Sequence, residues 1–242
     1  MSNHVALLLK LFALFFFTLM MLIPISMILN LIDSRNDYRQ SVISRIQDGT
    51  SGQQTVIGPI IAIPYTLYQK EKDDKGVTKT VSIDRTHYVL PSKLSVDGHV
   101  NVEPRKVGIY QAQVYQSELA FKGVFMPLKA ANNSSISYGV PYAIVALSDS
   151  RGITRVPEIQ MDKKSLLFEA GTNSSKFSQG IHAMLPEGIL NGSEPIGFEF
   201  TLALQGSGHL AVMPVGETST LSLNGNWPHP NFLGSSCQSR GK

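Results

Sequence analysis

Cysteine is nearly absent from this 242-residue chain. Cys237, close to the C-terminal end, is the only one. No internal disulfide and no cysteine-based metal centre can therefore form. The six histidines, His4, His87, His99, His182, His209 and His229, show neither His-x-His nor His-x-x-x-His spacing, so no local zinc signature exists. Charge of one sign is lacking too: 21 Lys and Arg offset 18 Asp and Glu for a net +3. No basic stripe interleaved with aromatics stands out, and nucleic acid is not an expected partner.

Catalytic signatures are equally thin. "GSGH" at 206–209 lacks the Gly-x-Ser-x-Gly spacing of a nucleophile elbow, and reads as lying in a β-hairpin rather than a strand-to-helix turn. The terminal "GSSCQSRGK" fails the phosphate-loop pattern. Cys237 would need a base held against it to act as a nucleophile, and its polar surroundings offer none. The expectation is a non-enzymatic protein that needs no cofactor. A large domain without cystines fits a bacterial envelope better than a eukaryotic secretory product. The Asn-x-Ser triplets at Asn132, Asn133, Asn173 and Asn191 then read as chance in Asn/Ser/Gly-rich loops.

What the chain does have is one long apolar run. Leu11 to Leu29 carries no charge, and with its apolar flanks it is long enough to cross a hydrocarbon core of about 30 Å. Signal peptides have shorter apolar regions and end in a small-x-small site. "PISMILNLIDSR" offers none. Residues 1–32 are therefore read as a cytoplasmic N-terminus and an uncleaved transmembrane helix. Pro24 is tolerable in lipid, and Lys10 can extend its ammonium back to the headgroups. The short N-terminal flank and the large domain that follows favour an N-terminus inside and a domain outside.

Beyond the membrane, "SRNDYRQSVISRIQ" keeps near-helical spacing, so residues 33–50 read as a helical neck. From residue 51 the period changes to two. "TVIGPIIAIPYTLYQ" and "KTVSIDRTHYVL" flank a charged turn and predict a hairpin. "KLSVDGHVNVEPRK" predicts a second, with Asp97-Gly98 as its turn. Leu119, Phe121 and Gly123 fall on one face of a further strand, "YAIVALSD" suits a central strand, and Phe198, Phe200, Leu202 and Leu204 alternate cleanly. The expected fold class is mainly β: an antiparallel β-sandwich or sheet-stack over residues 51–234, behind the single helix. Trp227, between a strand and two prolines, is expected to close one end of the core.

Asp149 and Arg151 in "LSDSRGI" are the most suggestive polar pair. An Arg beside an Asp on a turn after a buried strand either locks that turn or binds an acidic ligand, and the lock is the favoured reading.

Five phrases, "QQTVIGPIIAIPY", "EPRKVGIYQAQVY", "LSDSRGI", "GIHAML" and "NWPHPNFLG", follow one another behind the N-terminal helix. Together, from about Leu7 to Gly234, the chain resembles the CreD family of bacterial inner-membrane, cell-envelope integrity proteins. The resemblance marks Gly58, Pro59, Arg105, Gly108, Tyr110, Gly152 and Trp227 as turn formers, strand ends or packing positions, and brings no catalytic residue with it. It implies an inner-membrane location with the domain in the periplasm, and inner-membrane lipid and other envelope proteins as partners. Family members continue into several more membrane helices, so residues 235–242 are expected to be a disordered, aberrant tail of a truncated chain. The leading function is a non-catalytic envelope-maintenance protein. The alternative is a periplasmic enzyme or ligand-binding sensor for a cell-wall or lipid component, acting through a pocket near Asp149, Arg151 or His229; convergence of these side chains in one pocket, rather than scatter at strand ends, would favour it.

Overall fold

A computed structural model describes residues 2–49, 51–72, 78–107, 109–130 and 134–227. The chain divides into two compact units: Met1–Ile46 with Lys106–Gln111, and Gln47–Arg105 with Ala112–Lys242.

The first unit is built on α1, Ser2–Asp48, a single helix of 47 residues with Pro24 inside it. At 1.5 Å per residue it is about 70 Å long, more than twice the hydrocarbon thickness. The expected neck is thus a direct continuation of the membrane helix, with no break at Ile32. A candidate membrane span falls within Leu7–Val42, and none of its most apolar 18-residue stretch is buried against protein. That distinguishes it from a core helix, whose apolar side chains would be covered by protein. Its hydroxyls are satisfied internally: Thr18 Oγ1 donates to Leu14 O at 2.8 Å and Ser26 Oγ to Ile23 O at 2.7 Å, as a helix in lipid requires.

The second unit is a β-sandwich. Its strands in chain order are β1 (Gln54–Lys72), β2 (Thr78–Val89), β3 (Lys93–Val107), β4 (Tyr110–Phe125), β5 (Ile136–Tyr138), β6 (Tyr142–Leu147) and β7 (Ile153–Arg155). There follow β8 (Glu158–Met161), β9 (Lys164–Leu167), β10 (Glu169–Ala170), β11 (Gly180–Met184), β12 (Ile196–Ser207), β13 (Leu210–Met213) and β14 (Thr218–Gly225). Among the described residues they form two sheets. One runs β10-β11-β6-β1-β13, with β2 and β5 also on β1; the other runs β14-β3-β4-β12-β8-β9, with β7 on β12. Most pairings are antiparallel, but β1–β13 and β3–β14 are parallel. The expected mainly β architecture is therefore what the chain adopts.

The core lies between the sheets. Val56, Ile61, Val145 and Ile181 of one sheet meet Leu119, Phe121, Phe198, Phe200 and Leu202 of the other. Phe121 and Phe200 stack with ring centroids 4.7 Å apart, worth about 1 kcal/mol beyond the area they bury. The alternation expected at Phe198, Phe200, Leu202 and Leu204 places all four inside, and β6, buried at every position, is central as its unbroken apolar run requires.

Three expectations fail, each for a physical reason. Asp97-Gly98 is not a turn: β3 runs straight through it, and the chain reverses instead between Val107 and Tyr110. Gly98 is there because Leu223 and Leu119 occupy the space a Cβ would take, a close-approach role for glycine within a strand. "GSGH" is not in a hairpin either, because β12 lies in one sheet and the following β13 pairs parallel with β1 in the other. Trp227 does not close the core; it is 36% exposed. Among the described residues the largest fully buried side chains are Phe121 and Phe125.

Candidate functional site

β6 delivers Ser148 and Asp149 to the end of the sandwich where β1 begins. Asp149 caps the 3-10 turn Ser150–Gly152, accepting the Arg151 backbone N–H at 3.0 Å. The Arg151 guanidinium folds back onto the same carboxylate, with Nε 3.1 Å from each oxygen and Nη2 2.7 Å from Oδ2. This holds the Asp149 carboxyl below its usual range, chiefly through the hydrogen bond from Arg151. The side chains are unequally placed: 71% of Arg151 is exposed, against 18% of Asp149. Geometrically the pair is a turn lock.

The turn is held from below by a residue that sequence reasoning passed over. Gln54, the first residue of β1, is fully buried. Its Nε2 donates to Ser51 O at 3.1 Å and to Asp149 O at 3.0 Å. Its backbone N–H donates to His209 O at 2.9 Å, and the Tyr115 hydroxyl donates to the same carbonyl at 2.9 Å. Ser148 Oγ donates to Gln53 O at 2.8 Å and accepts the Thr55 N–H at 3.0 Å. The Ser207 N–H reaches Gly52 O at 2.7 Å. Burial pushes the Tyr115 phenol well above its ordinary value, so it remains a donor at any physiological pH.

The knot explains Gly152. A Cβ there would run into the Gln54 amide and lie 2.8 Å from Gln205 O, so only glycine lets the turn close over the buried amide. Ser51, at φ 73°, is a non-glycine residue in the left-handed region, and its carbonyl is one of the two that Gln54 holds. The segment that follows α1 is thereby bound to β6, β12 and the chain entering β13 at once.

None of the other marked positions among the described residues supplies one of these hydrogen bonds. Gly58 and Pro59 are joined by a cis peptide, at the register shift between β1 and β6, where a bulge spares the proline a ladder bond. Arg105 is exposed near the end of β3. Tyr110 opens β4, its ring centroid 5.7 Å from that of Tyr38 on α1. Gly108 and His229 lie outside the described residues, as do residues 235–242. Of the three candidate contacts, Asp149 and Arg151 meet each other, and His229 belongs to the part of the chain outside the described residues. Asn173 and Ser174, taken as a plain polar loop, fold over the outer face of the first sheet: the Tyr142 hydroxyl donates to Asn173 O at 2.7 Å, and Tyr88 Oη lies 2.8 Å from Ser174 Oγ. Only a glutamine and a tyrosine within strands marked the buried knot in the sequence, and neither is distinctive.

Fold and site together define a class: a membrane-anchored β-sandwich whose root is fixed by buried hydrogen bonds. Comparison with known proteins makes this specific. The chain belongs to the CreD family, described as inner membrane protein CreD, which matches residues 6–239. It is 41% identical over 228 residues to the inner membrane protein CreD of Escherichia coli (strain K12), covering 93% of this chain and 50% of that protein. The chain thus spans about half the length of that relative. The matched region also passes Gly234, where the sequence reading had ended the resemblance. No solved structure matches. Family and apolar helix together make this an inner membrane protein.

Proposed function

We propose that the chain is a non-catalytic envelope-maintenance protein, carried by α1 with its N-terminus in the cytoplasm and its β-sandwich in the periplasm, where it contacts other envelope components. The observation that carries this reading is the Asp149–Arg151 lock. The polar pair that most resembled a reactive site closes on itself by four hydrogen bonds, and its turn rests on a buried glutamine that only scaffolds it. A reactive constellation instead aims its groups at a place a substrate can occupy. The orientation follows from the short N-terminal flank and the size of the domain beyond the helix.

The test is complementation of envelope sensitivity in cells lacking the endogenous family member, using Asp149→Asn and Arg151→Ala variants. A scaffold predicts that rescue follows the amount of folded protein in the membrane. Loss of rescue at normal protein level would favour an enzyme or ligand sensor at this turn. Protease added to spheroplasts checks the orientation: degradation of the domain is expected, and full protection would reverse it.

A further inference from the structure

The β3–β4 hairpin ends in "RKVGIY", and its tip belongs to the same compact unit as the membrane helix. Tyr110 packs its ring on Tyr38 of α1, centroids 5.7 Å apart and planes inclined at 57°. One turn further along the helix, Val42 is the only described side chain between Leu7 and Arg45 that is buried. The contact thus fixes the tip to a known height on the helix. Tyr38 lies about 9 Å beyond Ile32 at the helical rise, and each headgroup layer is about 5–8 Å thick. Tyr38 and Tyr110 therefore stand at the outer margin of the headgroups, where tyrosine is favoured.

What the tip displays at that height suits a lipid surface. Ile109 is 83% exposed, and Lys106, with Arg105 next to it in the chain, is exposed as well. No acidic residue occurs between Glu103 and Glu118. On the helix, Asp33 and Asp37 cancel Arg35 and Arg39, so the net positive charge at this level comes from the hairpin. A basic pair beside an exposed aliphatic side chain is the combination that anionic headgroups attract and an interface accommodates. We propose that the β3–β4 tip is a second membrane contact, docking Lys106 and Ile109 on anionic phospholipid headgroups beside the helix. This goes beyond the reading of the domain as an envelope scaffold and rests on α1 spanning the bilayer with its hydrocarbon edge near Ile32.

The experiment uses the full chain with Cys237→Ser, carrying one fluorophore-labelled cysteine at Ile109, at Ser222 on exposed β14, or at Leu22 within the span. It is reconstituted in vesicles of phosphatidylcholine alone or with phosphatidylglycerol. With phosphatidylglycerol, headgroup-nitroxide lipids should quench the label at 109 several times more strongly than at 222. The excess should fall to the level at 222 in pure phosphatidylcholine and in Arg105→Glu/Lys106→Glu, while acyl-chain nitroxides still quench at 22. Equal quenching at 109 and 222 in the anionic vesicles overturns the docking. Strong quenching at 109 that ignores both the lipid charge and the charge reversal overturns the anionic-lipid assignment. Absence of chain-nitroxide quenching at 22 overturns the span itself, and the docking with it.

Discussion

Gln54 is the residue whose replacement tests the root of the domain most directly. Its side chain is fully buried, and its Nε2 holds Ser51 O and Asp149 O at 3.1 and 3.0 Å. Gln54→Ala removes the two hydrogen bonds that Nε2 donates, worth about 1 kcal/mol each, and leaves Ser51 O without its donor, a further cost of about 1–3 kcal/mol. The sum is about 3–5 kcal/mol, before the cost of the cavity left by the lost side chain. Gln54→Glu separates donor loss from cavity, because the shape is kept while an ionised carboxylate can only accept. Two carbonyls then face a buried anion, and the acid must be protonated to donate as the amide does. Its folded pKa is raised, so its stability is present below the unfolded carboxylate value of about 4.3 and lost as pH rises through the folded value. The assay is a urea titration of the full chain in mild detergent, followed by near-ultraviolet circular dichroism. With a slope of about 2 kcal/mol/M, Gln54→Ala should lower the midpoint by about 1.5–2.5 M. Gln54→Glu should be as damaged at neutral pH and recover toward pH 4. A Gln54→Ala midpoint within about 0.5 M of wild type, or a Glu variant indifferent to pH, would refute the claim that this amide is a structural donor.

Tyr115→Phe should cost only about 1 kcal/mol, since His209 O keeps the Gln54 N–H as a donor. The raised phenol pKa contributes stability that is complete below the unfolded value of about 10 and declines above it as pH approaches the folded value; the variant should flatten that alkaline decline in urea titrations between pH 9 and 11, a window of about two units. Arg151→Ala should cost less than about 1 kcal/mol because the guanidinium is largely exposed and solvent screens it. With Asp149 depressed, the pair's contribution is present above the unfolded carboxylate value and is lost as pH falls through the lower folded value, so the variant should show a shallower acid limb. Gly98→Val should destabilise by about 1–3 kcal/mol by forcing Leu223 and Leu119 aside. Phe121→Ala should cost about 3–5 kcal/mol, whereas Trp227→Ala should shift thermal unfolding much less because Trp227 is exposed.

The hairpin error at Asp97-Gly98 shows what the sequence did contain. A two-residue turn there would pair Val96 with His99 and Ser95 with Val100, splitting the apolar residues between both faces. A continuous strand instead keeps Leu94, Val96, Gly98, Val100 and Val102 on one face, the parity seen in β3, where Leu94, Val96 and Gly98 are buried and Val100 and Val102 half-buried. The alternation was the stronger signal, and the dipeptide overrode it. Trp227 misled in the opposite way. Its size suggested a core plug, but after β14 the ring stays 36% exposed, and size alone does not decide burial. Helix and sandwich were legible because each depends on a long periodic pattern. The strands β5, β7 and β8 were not, since three or four residues carry too little alternation to distinguish them from loop.

The knot was illegible for a deeper reason, and the same reason explains its position. A buried glutamine is specified partly by a carbonyl distant in sequence: Asp149, just beyond β6, is 95 residues from Gln54, so no local pattern around "SGQQT" could announce it. That stretch, with Gly52 and a left-handed Ser51, has the composition of a flexible linker. A flexible joint would let the domain's first strand fray from the sheet each time the helix moved in the bilayer. Binding Ser51 O, Gly52 O and Gln53 O to Gln54, Ser207 and Ser148 respectively turns the linker into part of the core. The cost of left-handed Ser51, about 1–2 kcal/mol, is offset by the hydrogen bonds that conformation permits. Replacing Ser51 with Gly should therefore be neutral or mildly stabilising while Gln54 is present, because it relieves the backbone strain. In the Gln54→Ala background it should instead destabilise, because nothing then holds the more flexible segment. A double-mutant cycle in urea gives the comparison, and strict additivity of the two changes would show that Ser51 and Gln54 do not act as one unit.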